Sequence, residues 1–198
     1  MEPSGAESAG ADRPSAEQIE KLLQQAQRRR AIVRSVFGTL GVLVVVAAAM
    51  TLVFSLWLPV LQVQRGSMTP TLSDGDIIVF VTTGQIRRGD IVAFHHGNQV
   101  LVKRVIAVGG DSVDIDDDGA VFLNSEPLPE PYVSGLYAGD RTTALPCRVP
   151  ENQFFVLGDH RQTSIDSRSA DIGLVHRDQM IGRALIRIWP LNDFLVMN

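Results

Sequence analysis

The sequence predicts a mainly β protein that begins with one apolar helix, and two observations support this prediction. The first is an uncharged run, residues 35–63, that is dense in apolar side chains. The second is the pattern after about residue 64, where short runs of β-branched and aromatic residues alternate with Gly, Asp, Asn and Pro. Such runs, bounded by turn residues, are typical of β-strands. We therefore expect an N-terminal helical part followed by a β domain.

The chain starts with a segment that cannot form a core. Residues 1–16 are small, polar and proline-containing, and this composition predicts disorder. Helix-forming residues follow, with Ile19, Leu22 and Leu23 at helical spacing, so a short amphipathic helix is expected to lead into the apolar run. We treat residues 1–30 as one N-terminal segment.

The apolar run is long enough to cross a membrane, since a helix needs about 20 apolar residues to do so. A cleaved secretory signal has a shorter apolar region and a small-residue cleavage site, whereas this run has Trp-Leu-Pro-Val at residues 57–60, near its end. By the positive-inside rule, the arginines before the run place the N-terminus in the cytoplasm. These are Arg28, Arg29, Arg30 and Arg34. The predicted organisation is a cytoplasmic segment 1–30, a single transmembrane helix region 31–62 and an external domain 63–198.

Charge and cysteine content exclude several classes of function. The chain has 18 Lys plus Arg against 22 Asp plus Glu, a net charge of -4, and its basic residues form no stripe beyond the N-terminal segment. This balance argues against binding to a nucleic-acid backbone. Cys147 is the sole cysteine, so no intrachain disulfide is possible.

Six strands are predicted in the external domain. Their sequences are "DIIVFVTT", "DIVAFHH", "VLVKRVIAV", "DSVDI", "AVFLN" and "NQFFVLGD". From the end of the fourth to the start of the fifth, Asp114, Asp116, Asp118 and Gly119 match the opening of a calcium-binding EF-hand loop, but Ser125 stands where that loop needs a glutamate. We expect a hairpin turn at Asp118-Gly119 instead.

Ser67 lies shortly after the apolar run, in "GSMTPTL". Two roles are open for it, that of a turn residue and that of a nucleophile. A serine nucleophile needs a base within hydrogen-bond reach. In a strand, Lys103 shares a face with apolar residues, and such surroundings lower a lysine pKa toward the range of a general base. Arg104 lies on the opposite face and stays protonated. Serine and lysine form a recognised variant of the Ser-His-Asp arrangement.

A third stretch, "GDHRQTSIDSR" at residues 158–168, is rich in polar side chains after an apolar strand. Beside a dyad, Ser164 would hold the lysine amine by a hydrogen bond. Asp166 and Arg168 would pair and stiffen the loop. His95 and His96 are adjacent and would point to opposite faces of a strand, which does not favour a metal site.

These three motifs, together with "IGRALIRIWP" near the C-terminus, resemble the type I signal peptidase family, and they follow the order of that family. The resemblance implies two packed antiparallel sheets with a small barrel-like core. It also implies a membrane-anchored serine endopeptidase that removes signal peptides from exported preproteins at the outer membrane face, without a metal or cofactor. Its partners would be preproteins and membrane lipid, and we expect a monomer.

The resemblance also assigns roles to residues. It makes Ser67 the nucleophile and Lys103 the general base. The supporting residues are Ser164, which would orient Lys103, Met68, which would pack beside the site, and the structural residues Asp159, Asp166 and Arg168.

The sequence departs from the common family pattern at two positions. Arg65 stands where some members carry a second serine that helps to stabilise the oxyanion, so the backbone N-H of Ser67 is the expected donor. His160 replaces a frequent asparagine and, beside Asp159, opens a Ser-His-Asp alternative. The alternative from another class is an inactive, membrane-anchored peptide-binding module of the same fold, although both Ser67 and Lys103 are present.

Overall fold

The computed structural model describes residues 16–139, 141–191 and 195–197, which belong to two units, Met1–Leu52 and Val53–Asn198. The disorder expected for residues 1–16 falls almost wholly outside these ranges. The predicted division at residues 30 and 62 stays a prediction.

A single α-helix, Ala16–Trp57, contains the segment predicted to be amphipathic and the apolar run as far as Trp57. Within it, Ser35–Leu52 has a mean hydropathy of 2.2 and is long and apolar enough to cross a membrane. The helix ends shortly before Pro59, because the residue preceding a proline disfavours the helical conformation.

The second unit is built from antiparallel strands in two sheets, which confirms the predicted mainly β fold. The larger sheet has the order β1-β2-β11-β3-β4-β9-β10, with β12 also paired to β11, and the smaller one has the order β7-β6-β5-β8. The strands are β1 Val60–Gln62, β2 Ile77–Val81, β3 Ile91–His96, β4 Gln99–Ala107, β5 Ser112–Ile115, β6 Val121–Leu123, β7 Glu126–Pro127, β8 Cys147–Arg148, β9 Gln153–Leu157, β10 Val175–His176, β11 Met180–Trp189 and β12 Leu195–Val196.

The barrel-like core is the part of the predicted fold that is not confirmed. Among the described residues, the end strands β1 and β10 of the larger sheet do not pair with each other, so this sheet stays open. Both end strands are short, and in the described ranges each pairs on one side only.

The predicted hairpin turn at Asp118-Gly119 is confirmed. It joins β5 to β6, and Gly119 has a φ of 91°, a conformation that glycine adopts readily. The carboxylate of Asp116 accepts the backbone N-H of Ala120 at 2.8 Å, which fixes the loop as a turn.

Strand β4 brings the site together because it lies between β3 and β9 in the middle of the larger sheet. On one edge Lys103 is in register with Val92 of β3, and on the other Arg104 is in register with Leu157 of β9. The residues after β9 therefore emerge beside Lys103.

Candidate active site

Ser67 lies in a tight loop that follows β1. Arg65 and Gly66 have left-handed φ values of 71° and 51°, and the backbone N-H of Thr69 donates to the Gly66 carbonyl at 3.1 Å. Met68, next in the chain, is completely buried and packs in a core cluster with Leu72. The buried methionine anchors the loop and leaves the serine half-buried beside it.

Lys103 faces the serine from β4. Its side chain is nearly inaccessible, with 3% of the residue exposed. Its Nζ donates a hydrogen bond to Ser67 Oγ at 2.7 Å. The structure therefore brings the two residues chosen from the sequence into direct contact, at a distance suited to proton transfer between a nucleophile and its base.

Burial lowers the pKa of Lys103 from its usual 10.5 to about 8. Nearby charges modify this effect: Asp166 raises the pKa, Arg168 lowers it and Asp159 raises it. With a pKa of about 8, about a tenth of the lysines are neutral at pH 7, against about one in three thousand for an ordinary lysine. The amine can therefore serve as a base near neutral pH.

An ion pair inside the loop after β9 holds that loop in place. Arg168 Nε lies 2.8 Å from Asp166 Oδ1, and both side chains are buried. Asp166 also accepts the backbone N-H of Gly158 at 3.1 Å, and Arg168 donates to the Arg161 carbonyl at 2.8 Å. The pair fixes the start of the loop relative to its end, next to the dyad.

Asp159 belongs to a second network, which reasoning from the sequence missed. It accepts two hydrogen bonds from Arg104, at 2.9 and 2.6 Å, and one from the hydroxyl of Thr71 at 2.5 Å. Thr71 follows Ser67 in the same loop, and Arg104 follows Lys103 on β4. The network thus joins the chain segments that carry both members of the dyad, and the adjacency of Arg104 to Lys103 was the only sequence signal for it.

Ser164 lies beside the site with its hydroxyl unpartnered in the described structure. Its Oγ is buried and has no hydrogen-bond partner among the described residues, so the predicted bond to Lys103 is not formed in this structure. The hydroxyl instead packs against the backbone of Gly158, where an added Cβ would lie 2.2 Å from it and 2.6 Å from the Ser67 carbonyl. Only glycine fits between them.

His160 contacts the nucleophile loop through its backbone. Its N-H donates to the Ser67 carbonyl at 3.1 Å, whereas its ring Nδ1 is hydrogen-bonded to Thr163. The Ser-His-Asp alternative needs a hydrogen bond between the His160 ring and Ser67 Oγ. No such bond is present within the described part of the chain.

The dyad opens into a cleft of about 490 Å³. Apolar side chains such as Leu101, Ile165 and Ile172 form much of its wall, and Arg65, His96 and Asp171 are also at its surface. A cleft of this size can accommodate a short extended segment of polypeptide next to Ser67.

Comparison with known proteins gives one consistent result. The family described as "Signal peptidase, peptidase S26" matches residues 34–189. The chain is 35% identical over 152 residues to signal peptidase IB of Staphylococcus aureus strain COL, covering 67% of this chain and 78% of that protein. It is 36% identical over 144 residues to signal peptidase I of Bacillus licheniformis, covering 66% and 76%.

A solved structure, that of a signal peptidase I from Enterococcus faecalis V583, is also similar. It is 28% identical with a TM-score of 0.40, and the match covers 50% of this chain and 97% of that one.

Proposed function

The chain belongs to the S26 signal peptidase family of serine peptidases, and we propose that it removes signal peptides from exported preproteins with a Ser67-Lys103 dyad. The observation that carries the proposal is the 2.7 Å hydrogen bond between Lys103 Nζ and Ser67 Oγ. Because the amine is buried, its neutral form is accessible near pH 8. No other described lysine lies at the cleft.

The reaction begins with a proton transfer. The neutral amine of Lys103 takes the hydroxyl proton, and Ser67 Oγ forms a bond to the carbonyl carbon of the scissile peptide. The resulting ammonium then gives its proton to the leaving nitrogen as the peptide bond breaks. This step releases the mature protein and leaves the signal peptide as an ester on Ser67. A water molecule, deprotonated by Lys103, hydrolyses the ester and restores the serine.

The negative charge on the carbonyl oxygen needs hydrogen-bond donors. We assign the backbone N-H of Ser67 as one of them, since no acceptor for it is found among the described residues. The unpartnered hydroxyl of Ser164 lies in the same region, and we assign to it the orientation of the Lys103 amine during the proton transfers.

Membrane attachment explains how enzyme and substrate meet. With the helix across the membrane and the arginines inside, the β unit lies at the outer face, where an exported preprotein is anchored by its own apolar segment. Holding both partners at one interface raises their effective concentration. The apolar walls of the cleft favour the small side chains that precede a signal-peptide cleavage site.

The test is cleavage of a preprotein with an Ala-x-Ala site by the full chain in detergent, from pH 6 to 10. We expect wild type to cleave at a rate that rises through one ionisation near pH 8, and Ser67→Ala and Lys103→Ala to be inactive. Ser73→Ala, which changes an exposed serine of the same loop, is the matched control and should behave as wild type.

Residual cleavage by purified Ser67→Ala or Lys103→Ala would disprove the dyad mechanism. Wild type that binds the preprotein but does not cleave it would instead identify an inactive peptide-binding module.

A further inference from the structure

The cleft contains one cation whose side chain has no partner among the described residues. Four charged or titratable side chains line the cleft, namely those of Arg65, His96, Lys103 and Asp171. Lys103 is hydrogen-bonded to Ser67, and Nε2 of His96 lies 3.5 Å from Oδ2 of Asp171. Arg65 makes its hydrogen bond through the backbone N-H, and its exposed guanidinium has no described acceptor.

The backbone of Arg65, rather than any contact of its own side chain, determines where the residue lies. Its φ of 71° is uncommon for a residue other than glycine. The Asp74 carboxylate accepts its N-H at 3.0 Å, which holds this conformation. Because that carboxylate is bound to the backbone N-H and forms no ion pair with the guanidinium in the described structure, the Arg65 side chain remains available to a molecule in the cleft.

We propose that Arg65 is a specificity-determining residue, whose guanidinium binds an acidic side chain of the polypeptide close to the scissile bond. The proposal rests on the function proposed above, in which the cleft holds a peptide. Arg65 precedes Ser67 by two residues, so its charge lies near the reacting bond. A guanidinium can bind a carboxylate through two parallel hydrogen bonds, which makes the acidic side chain its best match.

Peptides that keep an Ala-x-Ala site and carry Glu, Gln or Lys at one flanking position at a time test the proposal. The full chain in neutral detergent is compared as wild type, Arg65→Gln and Arg65→Glu. Arg148→Gln removes an exposed arginine on β8, outside the cleft, and serves as the control.

At one position we expect wild type to cleave the Glu peptide on the order of fivefold faster in kcat/KM than the Gln peptide, the effect of one solvent-exposed charge pair. Arg65→Gln should lose this preference, Arg65→Glu should prefer Lys there, and Arg148→Gln should match wild type.

Four results would overturn the assignment, and they can be told apart. A Glu preference that persists in Arg65→Gln, or that is absent from wild type, rules out Arg65 as its source. If Arg65→Gln reduces cleavage of all peptides equally, and only in phosphatidylglycerol vesicles and not phosphatidylcholine ones, the guanidinium binds lipid headgroups instead. If wild type cleaves none of the peptides, the proposed function itself fails.

Discussion

Lys103 and Arg104 are neighbours on β4 and lie on opposite faces of the strand. The surroundings of their positive charges differ. Arg104 lies beside a buried carboxylate, with its Nη2 2.6 Å from Asp159 Oδ2, and its guanidinium also lies 4.0 Å from the centre of the Tyr132 ring. Lys103 has no carboxylate within ion-pair distance in the described structure and contacts the hydroxyl of Ser67 instead. A buried cation with a close anion keeps its charge, whereas one without such an anion tends to lose it. The Arg104 face of β4 therefore holds a paired charge, whereas the Lys103 face holds an amine that can lose its proton near neutral pH.

Replacing Lys103 by arginine is expected to have the largest effect, because both faces of β4 would then carry a guanidinium. Lys103→Arg keeps a positive charge, but a guanidinium cannot give up its proton near neutral pH. We expect kcat to fall at least about 10³-fold, as for loss of other catalytic bases. Cleavage assays with circular dichroism as a check of folding measure this. If more than a tenth of the activity remained, the neutral amine would not be the base.

Asp159→Asn removes the carboxylate that pairs with Arg104. Arg104 is then left partly buried without its carboxylate, which typically costs about 3 to 5 kcal/mol in the free energy of unfolding. Urea unfolding of the full chain in detergent measures the change. The control is Asp117→Asn, which breaks an ion pair with Arg141 in which Asp117 is 95% exposed. That change should cost less than about 1 kcal/mol, and equal effects of the two substitutions would contradict the comparison.

The pH dependence of the free energy of unfolding tests the burial of the Lys103 amine directly. Because the folded pKa of Lys103, about 8, lies below its ordinary 10.5, the folded chain releases this proton at a lower pH than the unfolded chain. Stability is therefore reduced below pH 8 and recovers as the pH rises from 8 to 10.5. Relative to Lys103→Met, which does not titrate, wild type should gain about 3 kcal/mol between pH 7 and 10.5. A constant difference across this range would show that the amine is not buried in a desolvated site.

Ser164→Ala gives the smallest expected effect and separates a catalytic role from a structural one. Because Ser164 Oγ has no described partner, its loss should change the free energy of unfolding by less than about 1 kcal/mol, while kcat falls about tenfold if the hydroxyl orients Lys103. The matched control is Ser167→Ala, since the buried Ser167 hydroxyl accepts the backbone N-H of Val156 at 2.9 Å. That control should cost about 1 to 2 kcal/mol. An unchanged kcat in Ser164→Ala would remove it from the mechanism.

Local patterns in the sequence were enough to predict the apolar helix and six strands, because a run of apolar residues or a turn signal acts within a few positions. The strands that were missed have physical explanations. Strands such as β7 and β8 are two residues long and carry no periodic pattern. The longer β11 contains Gly182, Arg183 and Arg187, and its pairing with β3 is irregular near Gly182.

Ser67 and Lys103 could also be selected from the sequence, since each is marked by its immediate neighbours and the motif order links them. Only the tertiary structure decided which groups near them are paired. The bonds of Asp159 to Thr71 and Arg104 span 88 and 55 positions along the chain, and Ser164 is left unpartnered by packing against Gly158. The open edge of the larger sheet was decided in the same way. Strand closure, burial and ion pairing depend on which distant segments meet, and no local pattern of side chains encodes those meetings.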